Sequence, residues 1–428
     1  MRKIDVGIVR AAQIKFDFIG DFCSTNGVCA AQHSVSVQNN KLLYGGSLYN
    51  ELLFVPCDEN SIFTLHDVVI GVGFHWQRKE SQSFRGELRL IVEEGEVRAI
   101  NRIAVEEYLV SVISSEMSAT SSLEFLKAHA IVSRSWLYAQ LLRKEKVQQG
   151  VLGWENADEI VRWYAREDHT LFDLCADDHC QRYQGITRAH NPNVARAVRE
   201  TAGLVLKHGG EVCDARFSKC CGGVTELFSS CWENENPAYL QAFRDCEDAE
   251  PLPSLMDEES ARRWIESVPP SLCATDDKAV LAQILNGYDC ETNDFYRWRV
   301  EYTQKELTSI IEERSGIDFG TIEELIPLQR GASGRITRLR VVGSKESRVV
   351  GKELEIRRWL SRSHLYSSAF VVDRDIDEKG SVKFVLKGAG WGHGVGLCQV
   401  GAAVMGEKGV SYAGILAHYY PGAEIEAI

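Results

Sequence analysis

No stretch of this sequence approaches the ~20 consecutive apolar residues that a membrane-spanning helix needs, which argues against a helical span. Basic charge is also scarce. Sixty-one acidic against 48 basic residues leave a net charge of −13 and a sequence pI near 5.4, without the positive footprint of a nucleic-acid binder. A secretory signal is missing from the start. Met1-Arg2-Lys3 supplies charge, but Asp5 and Arg10 interrupt the apolar core that should follow. There is no internal repeat and no low-complexity tract. The glycine-rich run near the end lacks the Gly-Lys-Ser/Thr of a P-loop and does not spell GxGxxG, so phosphate-cradling and dinucleotide motifs are excluded there.

What is present is ordinary globular material. At ~150 residues per domain, 428 residues make two or three domains, enough to bury a sizeable core. Apolar residues are 44% and charged residues 25%, which excludes a fibre or a disordered chain. Thirteen cysteines are many, and odd in number. Without an export signal they read as reduced cytoplasmic thiols, some of them metal-binding.

The expected fold class is α+β. Residues 1–104 read as a β-rich N-terminal domain: Ile4-Asp5-Val6-Gly7-Ile8 alternates, and Glu87 to Val92 leads through a Glu94-Gly95-Glu96 turn into Val97 to Ile100. At Val105 the period becomes helical, with Leu109, Val112, Ile113 and Glu116 on one stripe. Serines at 118–122 break that helix and cap a second one from Leu123 to Arg143, whose stripe carries Arg134 among Leu126, Ala130 and Leu137. Residues 105–232 and 331–428 are expected to form two parts of one mixed core, and 233–330 an inserted, mostly helical domain. Helical patterns there run over Lys305 to Ile311 and Ile322 to Leu325, and a last helix spans Tyr412 to His418.

Three places carry chemistry. Glu116 ends an apolar stripe, where partial desolvation disfavours the charged carboxylate and suits it to general-acid work. The alternative is a helix-terminal glutamate turned to water. Arg134 on an apolar stripe needs a partner, and Glu116, another acid or a backbone carbonyl would serve. His169, Cys175 and Cys180 offer imidazole and thiolate, the donors tetrahedral zinc prefers, with His179 as a fourth; free thiols or a disulfide are the alternative. Cys220-Cys221 reads as buried thiols or local packing, since neighbours rarely bridge without strain. In Lys387 to Leu397 glycine takes every second position. An extended run would place those glycines on one face open to close approach, and Trp391 and His393 on the other, available to a sugar. A tightly packed strand is the alternative.

Five ordered motifs together resemble the SpoIID/LytB family. They are Glu106-Glu107-Tyr108-Leu109 to Ser115-Glu116-Met117 with Leu126-Lys127-Ala128-His129-Ala130 to Arg134; Asp173-Leu174-Cys175 to Cys180-Gln181-Arg182-Tyr183-Gln184-Gly185; Phe217-Ser218-Lys219-Cys220-Cys221-Gly222-Gly223-Val224-Thr225-Glu226; Gly390 to Gln399 with Gly401-Ala402; and Ile415 to Gly422. The resemblance covers about residues 100–428. It implies a peptidoglycan lytic transglycosylase that cuts between N-acetylmuramic acid and N-acetylglucosamine in peptide-stripped strands and leaves a 1,6-anhydro end. It places the catalytic acid/base on Glu116 and zinc ligands on His169, Cys175 and Cys180, with zinc bracing a loop more than doing chemistry. It puts substrate binding on Arg134, Gln181, Ser218, Gly222, Gly223, Thr225, Trp391, His393 and Gln399. Implied partners are peptidoglycan glycan strands and a cell-wall amidase, with no nucleic acid; the implied location is extracytoplasmic, the cytoplasm being the alternative. Two features depart from the family pattern: Cys398 stands where a serine is expected, and Cys220-Cys221 crowds the Gly-Gly pair. The second functional reading is a glycan-binding amidase enhancer that modulates a partner hydrolase without cutting. A zinc hydrolase is a weaker third, because no general base lies near the His/Cys cluster in sequence.

Overall fold

A computed structural model describes residues 2–24, 33–70, 78–117, 121–144, 152–163, 169–177, 180–187, 191–248, 250–284, 294–376, 380 and 382–428. The expected fourth ligand, His179, lies outside them. The chain is α+β and β-rich, and it divides into two compact units, residues 1–119 with 166–202 and residues 120–165 with 203–428.

The first unit contains two six-stranded sheets. One runs in the order Leu174–Cys175, Lys3–Ala11, Glu96–Ala104, Glu87–Glu93, Glu51–Pro56, Phe22–Ser24. The other orders Ser47–Tyr49, Lys41–Tyr44, His33–Gln38, Gln13–Ile19, Ile62–Ile70 and Arg78–Phe84. The expected hairpin forms: Glu93 pairs with Glu96, and the turn uses positive φ at Glu94 (50°) and Gly95 (81°), the twist that suits a two-residue connection. The sheets share an aromatic core, in which Phe54 of the first lies 5.4 Å from Phe16 of the second. The Val105–Glu116 helix follows directly on the Glu96–Ala104 strand, with its apolar face buried.

The second unit is built around the Leu123–Lys144 helix and four smaller sheets. Ser122 does cap that helix, its hydroxyl accepting the Phe125 amide at 3.4 Å. Segment 233–330 contains helices Glu258–Glu266, Lys278–Ile284 and Gln304–Ser315, but also strands Arg297–Thr303 and Ile322–Arg330. Those strands ladder with Val382–Ala389 and Ile336–Gly343. The helical pattern read over Ile322 to Leu325 is therefore corrected to a strand. Irregular register between Ile322 and Glu324 breaks the two-residue alternation that would have marked it.

Candidate functional site

Glu116 is the last residue of its helix and is half-buried. Its Oε1 accepts the Arg182 amide at 3.4 Å. A carboxylate at a helix C-terminus faces the negative end of the backbone dipole, so an incoming amide donor matters to its orientation. The segment carrying Arg182 is fixed beside the helix by aromatic and polar contacts. Tyr108, one face of the same helix, stacks on Tyr183 with centroids 5.1 Å apart and donates to Gln181 Oε1 at 3.1 Å. Tyr183 in turn donates to Asn101 Oδ1 at 2.5 Å. Burial pushes both tyrosines' pKa upward, so both stay neutral donors. The buried Gln181 and the stacked tyrosines thus brace the segment whose Arg182 amide meets Glu116.

The loop before them holds the His/Cys cluster. The ligand atoms of His169, Cys175 and Cys180 lie within 4.8 Å of one another, with Cys180 Sγ 3.6 Å from His169 Nε2. Both cysteines are half-buried. Cys175 is held by backbone: Leu174–Cys175 pairs in parallel with Val6 and Gly7. His169 is held by stacking on Phe172 at 4.5 Å. A Cβ on Gly7 would lie 2.7 Å from the Phe172 ring, so glycine there admits the ring that supports His169. One ring nitrogen and two sulfurs at these separations can hold a metal ion.

The remaining predicted residues belong to the second unit. Arg134 is fully buried and donates to the Leu204 carbonyl at 3.0 Å, the backbone-carbonyl option among those the sequence left open. Thr225, also buried, accepts the Phe243 amide at 2.9 Å and donates to the Gln241 carbonyl at 3.0 Å. Ser218 Oγ accepts the Gly394 amide at 3.1 Å. Gln399 Nε2 meets His129 Nε2 at 3.2 Å. Gly222 has φ 80°, and a Cβ there would fall 2.9 Å from the Gly390 amide. Gly223 packs under Trp264 and Tyr296.

The glycine-rich run corrects the extended-strand expectation. The strand stops at Ala389, and Gly390, Gly392, Gly394 and Gly396 all take positive φ. The chain coils instead of alternating two faces. The coil wraps a residue the sequence did not single out, Arg335. That buried guanidinium donates to the Gly392 carbonyl at 3.0 Å and the Cys221 carbonyl at 3.2 Å, and a Cβ on Gly394 would lie 2.5 Å from its Cζ. Trp391 is half-buried and stacks on Phe295 at 4.8 Å. His393 accepts the Val395 amide on Nδ1 at 3.0 Å, which leaves Nε2 as the proton-bearing nitrogen of the neutral ring. Burial, with Arg216 and Arg335 nearby, lowers its pKa well below the usual imidazole value.

The Glu116 segment and the His/Cys/Cys loop both fall within a stretch that sequence comparison matches to a known family model. Residues 93–208 match the family model described as Stage II sporulation protein (SpoIID), and residues 226–396 match a domain of unknown function (DUF8618). These matches support the SpoIID/LytB resemblance. It is 26% identical over 331 residues to the amidase enhancer of Bacillus subtilis (strain 168), covering 74% of this chain and 40% of that protein. The chain therefore spans about two fifths of that relative's length. It is 24% identical over 329 residues to Stage II sporulation protein D of Bacillus amyloliquefaciens, covering 76% of this chain and 75% of that protein. The Bacillus subtilis (strain 168) Stage II sporulation protein D is 21% identical over 330 residues, or 77% of this chain and 76% of that protein. Among the described residues no helix is long and apolar enough to cross a membrane.

Proposed function

We propose that the chain acts on the bacterial cell wall, outside the cytoplasmic membrane, as a peptidoglycan lytic transglycosylase with Glu116 as its single acid/base. The observation that carries this reading is the position of Glu116. It closes its helix half-buried, with one oxygen on the Arg182 amide. As the acid, Glu116 gives its proton to the glycosidic oxygen between N-acetylmuramic acid and N-acetylglucosamine while the bond from that oxygen to the muramic anomeric carbon breaks. The carboxylate left behind accepts the proton of the muramic 6-hydroxyl as that oxygen bonds to the same carbon. Protons balance, no water enters, and one carboxylate suffices where ordinary glycosidases use two.

His169, Cys175 and Cys180 would hold zinc in a structural role. Bound there, it would supply a rigid crosslink for the loop that leads into Gln181 and Arg182, and the proton transfers stay with Glu116. In the second unit, the half-exposed Trp391 is the side chain we assign to a sugar contact, by stacking, while His393 braces the coil through the Val395 amide and the Phe217 backbone. Arg134, Ser218, Gly222, Gly223, Thr225 and Gln399 shape the coil and its supports from behind. A second reading rests on the amidase enhancer relative: the chain binds glycan strands and modulates a cell-wall amidase without cutting.

The test is incubation of purified protein with peptide-stripped glycan strands, read by mass spectrometry for anhydro-muramic ends. Glu116→Gln should lower product formation about a hundredfold to ten-thousandfold, the usual contribution of a general acid/base, with an unchanged melting midpoint. Retained glycan binding with no product from the wild type would favour the enhancer reading. Equal product from both proteins would remove Glu116 from the mechanism.

A further inference from the structure

A second donor cluster lies in the interior of the second unit. The sulfurs of Cys221, Cys273 and Cys398 and a carboxylate oxygen of Asp245 lie within 4.8 Å of one another, and all four residues are buried. Cys221 Sγ is 3.5 Å from Cys273 Sγ and 3.2 Å from Asp245 Oδ2. A tetrahedral zinc with ~2.3 Å bonds to sulfur and ~2.0 Å to oxygen sets such edges at about 3.8 and 3.5 Å, so only a few tenths of an ångström of adjustment is needed.

The donors come from distant parts of the chain and are held by backbone. Cys221 lies 52 residues from Cys273 and 177 from Cys398. Ser218 and Cys398 are paired across a parallel bridge, and the Cys221 amide reaches Cys398 Sγ at 3.3 Å. The Leu272 amide and the Ser271 hydroxyl both donate to the Asp245 carbonyl at 2.8 Å, which ties the Cys273 segment to Asp245. The carboxylate itself is oriented from behind: its Oδ1 accepts Tyr419 and meets His418 Nε2, each at 3.0 Å. That leaves Oδ2 aimed at the sulfurs. An outer ring of hydrogen bonds that turns one ligand oxygen inward is what metal sites require.

His418 and Tyr419 serve only Oδ1 of the buried carboxylate; on the other side Oδ2 faces thiols, which repay its desolvation poorly, so a cation among the sulfurs fits that side. A Cys221–Cys273 disulfide would consume two sulfurs and offer Oδ2 no such partner. Cys220, the adjacent buried thiol, also touches Cys273 and Cys398 but is not among the four mutually close donors.

We propose that Cys221, Asp245, Cys273 and Cys398 form a buried, closed tetrahedral site for a divalent cation of the zinc class, with three sulfurs and one oxygen. On binding, the three thiols release their protons to solvent and each sulfur bonds the metal; no electron is transferred. The site has no open position for substrate, so its role is structural. Cys221 and Cys398 flank the DUF8618 match at 226–396, while Asp245 and Cys273 lie within it. The cation staples the two ends of that segment to its interior.

The experiment is metal analysis by mass spectrometry on the full chain, purified with its thiols reduced in zinc-supplemented buffer and dialysed. It is run in the Cys180→Ser background so that the half-exposed cluster does not contribute. One equivalent of zinc is expected, lost in the added Cys273→Ser or Cys398→Ser and kept in Cys213→Ser, a buried thiol outside the cluster. Cobalt-loaded Cys180→Ser protein, with all four donors intact, should show three sulfurs and one oxygen by X-ray absorption, and this readout stands even where a serine variant fails to fold. Unchanged metal content in Cys273→Ser, a shell of oxygen and nitrogen alone, or a metal-free protein two hydrogens light from a Cys221–Cys273 disulfide would each overturn the site.

Discussion

The two donor clusters use the same chemistry in opposite settings. His169, Cys175 and Cys180 are half-buried on a loop that pairs with a sheet edge. Cys221, Asp245, Cys273 and Cys398 are wholly buried, between segments far apart in sequence. The first cluster offers three donors and has room for exchange with solvent. It restrains a local loop, the one that presents the Arg182 amide to Glu116. The second offers four and no access, and restrains the chain globally. Burial, more than donor type, separates a brace for a site from a staple for a fold.

Removing one donor from each cluster gives the largest expected contrast. Cys273→Ser removes a donor of the proposed buried site and leaves Asp245 with only His418 and Tyr419, a loss of up to about 3 kcal/mol. Cys180→Ser touches a half-buried loop and should cost about 1 kcal/mol or less. Hydrogen exchange resolved by peptide separates the two: the first variant should open amides around 217–225 and 397–405, the second only those around 169–187. Equal and local effects would mean that the buried cluster is no staple.

This contrast also explains what the sequence could reveal. The His169, Cys175 and Cys180 donors fall within one short segment, so their spacing is visible in the sequence. Cys221, Asp245, Cys273 and Cys398 carry no spacing signal at all, because long-range packing alone assembles them. Only the oddity of Cys398 and the Cys220-Cys221 pair hinted at it. Local elements were legible where period and caps agree, as in the Val105–Glu116 and Leu123–Lys144 helices and the Glu94-Gly95 hairpin. They were illegible where tertiary demands override alternation. The irregular register of Ile322–Arg330 hides a strand, and glycines alternating from 388 to 396 suggested extension where positive φ makes a coil. Arg335 was missed because nothing in its neighbourhood of the sequence announces the carbonyls it gathers.

The buried interior of the second unit should also show in acid. His129 is wholly buried with only Ser133 and Gln399 on its ring nitrogens, and burial, with the Lys219 charge, lowers its pKa to about 3. The unfolded chain protonates that ring near pH 6.5, while the folded one stays neutral until much lower pH. The unfolded state thus binds the extra proton between those values. Stability is fully present above pH 6.5 and falls as pH drops, by at most about 1.4 kcal/mol per unit from this group. His129→Gln keeps a polar partner for Gln399 and should flatten the melting midpoint between pH 6.5 and 4. An equally steep acid limb in the variant would shift the cause to other buried groups of this unit.

The smallest effect probes the half-buried cluster without touching a donor. Gly7→Ala places a methyl group 2.7 Å from the Phe172 ring, closer than carbon atoms approach, so the ring must move. Phe172 stacks on His169, and Gly7 is also the register partner of Cys175. One displaced ring therefore disturbs the imidazole while the backbone that holds Cys175 stays paired. Outer-shell changes of this kind weaken metal binding about tenfold. Zinc competition against a chromophoric chelator should show that loss at the half-buried cluster, with the buried equivalent unaffected. A change of twofold or less would mean that the loop finds its own geometry around the metal. The sheet edge would then not preorganise the site, and the cation itself would be what orders residues 169–182.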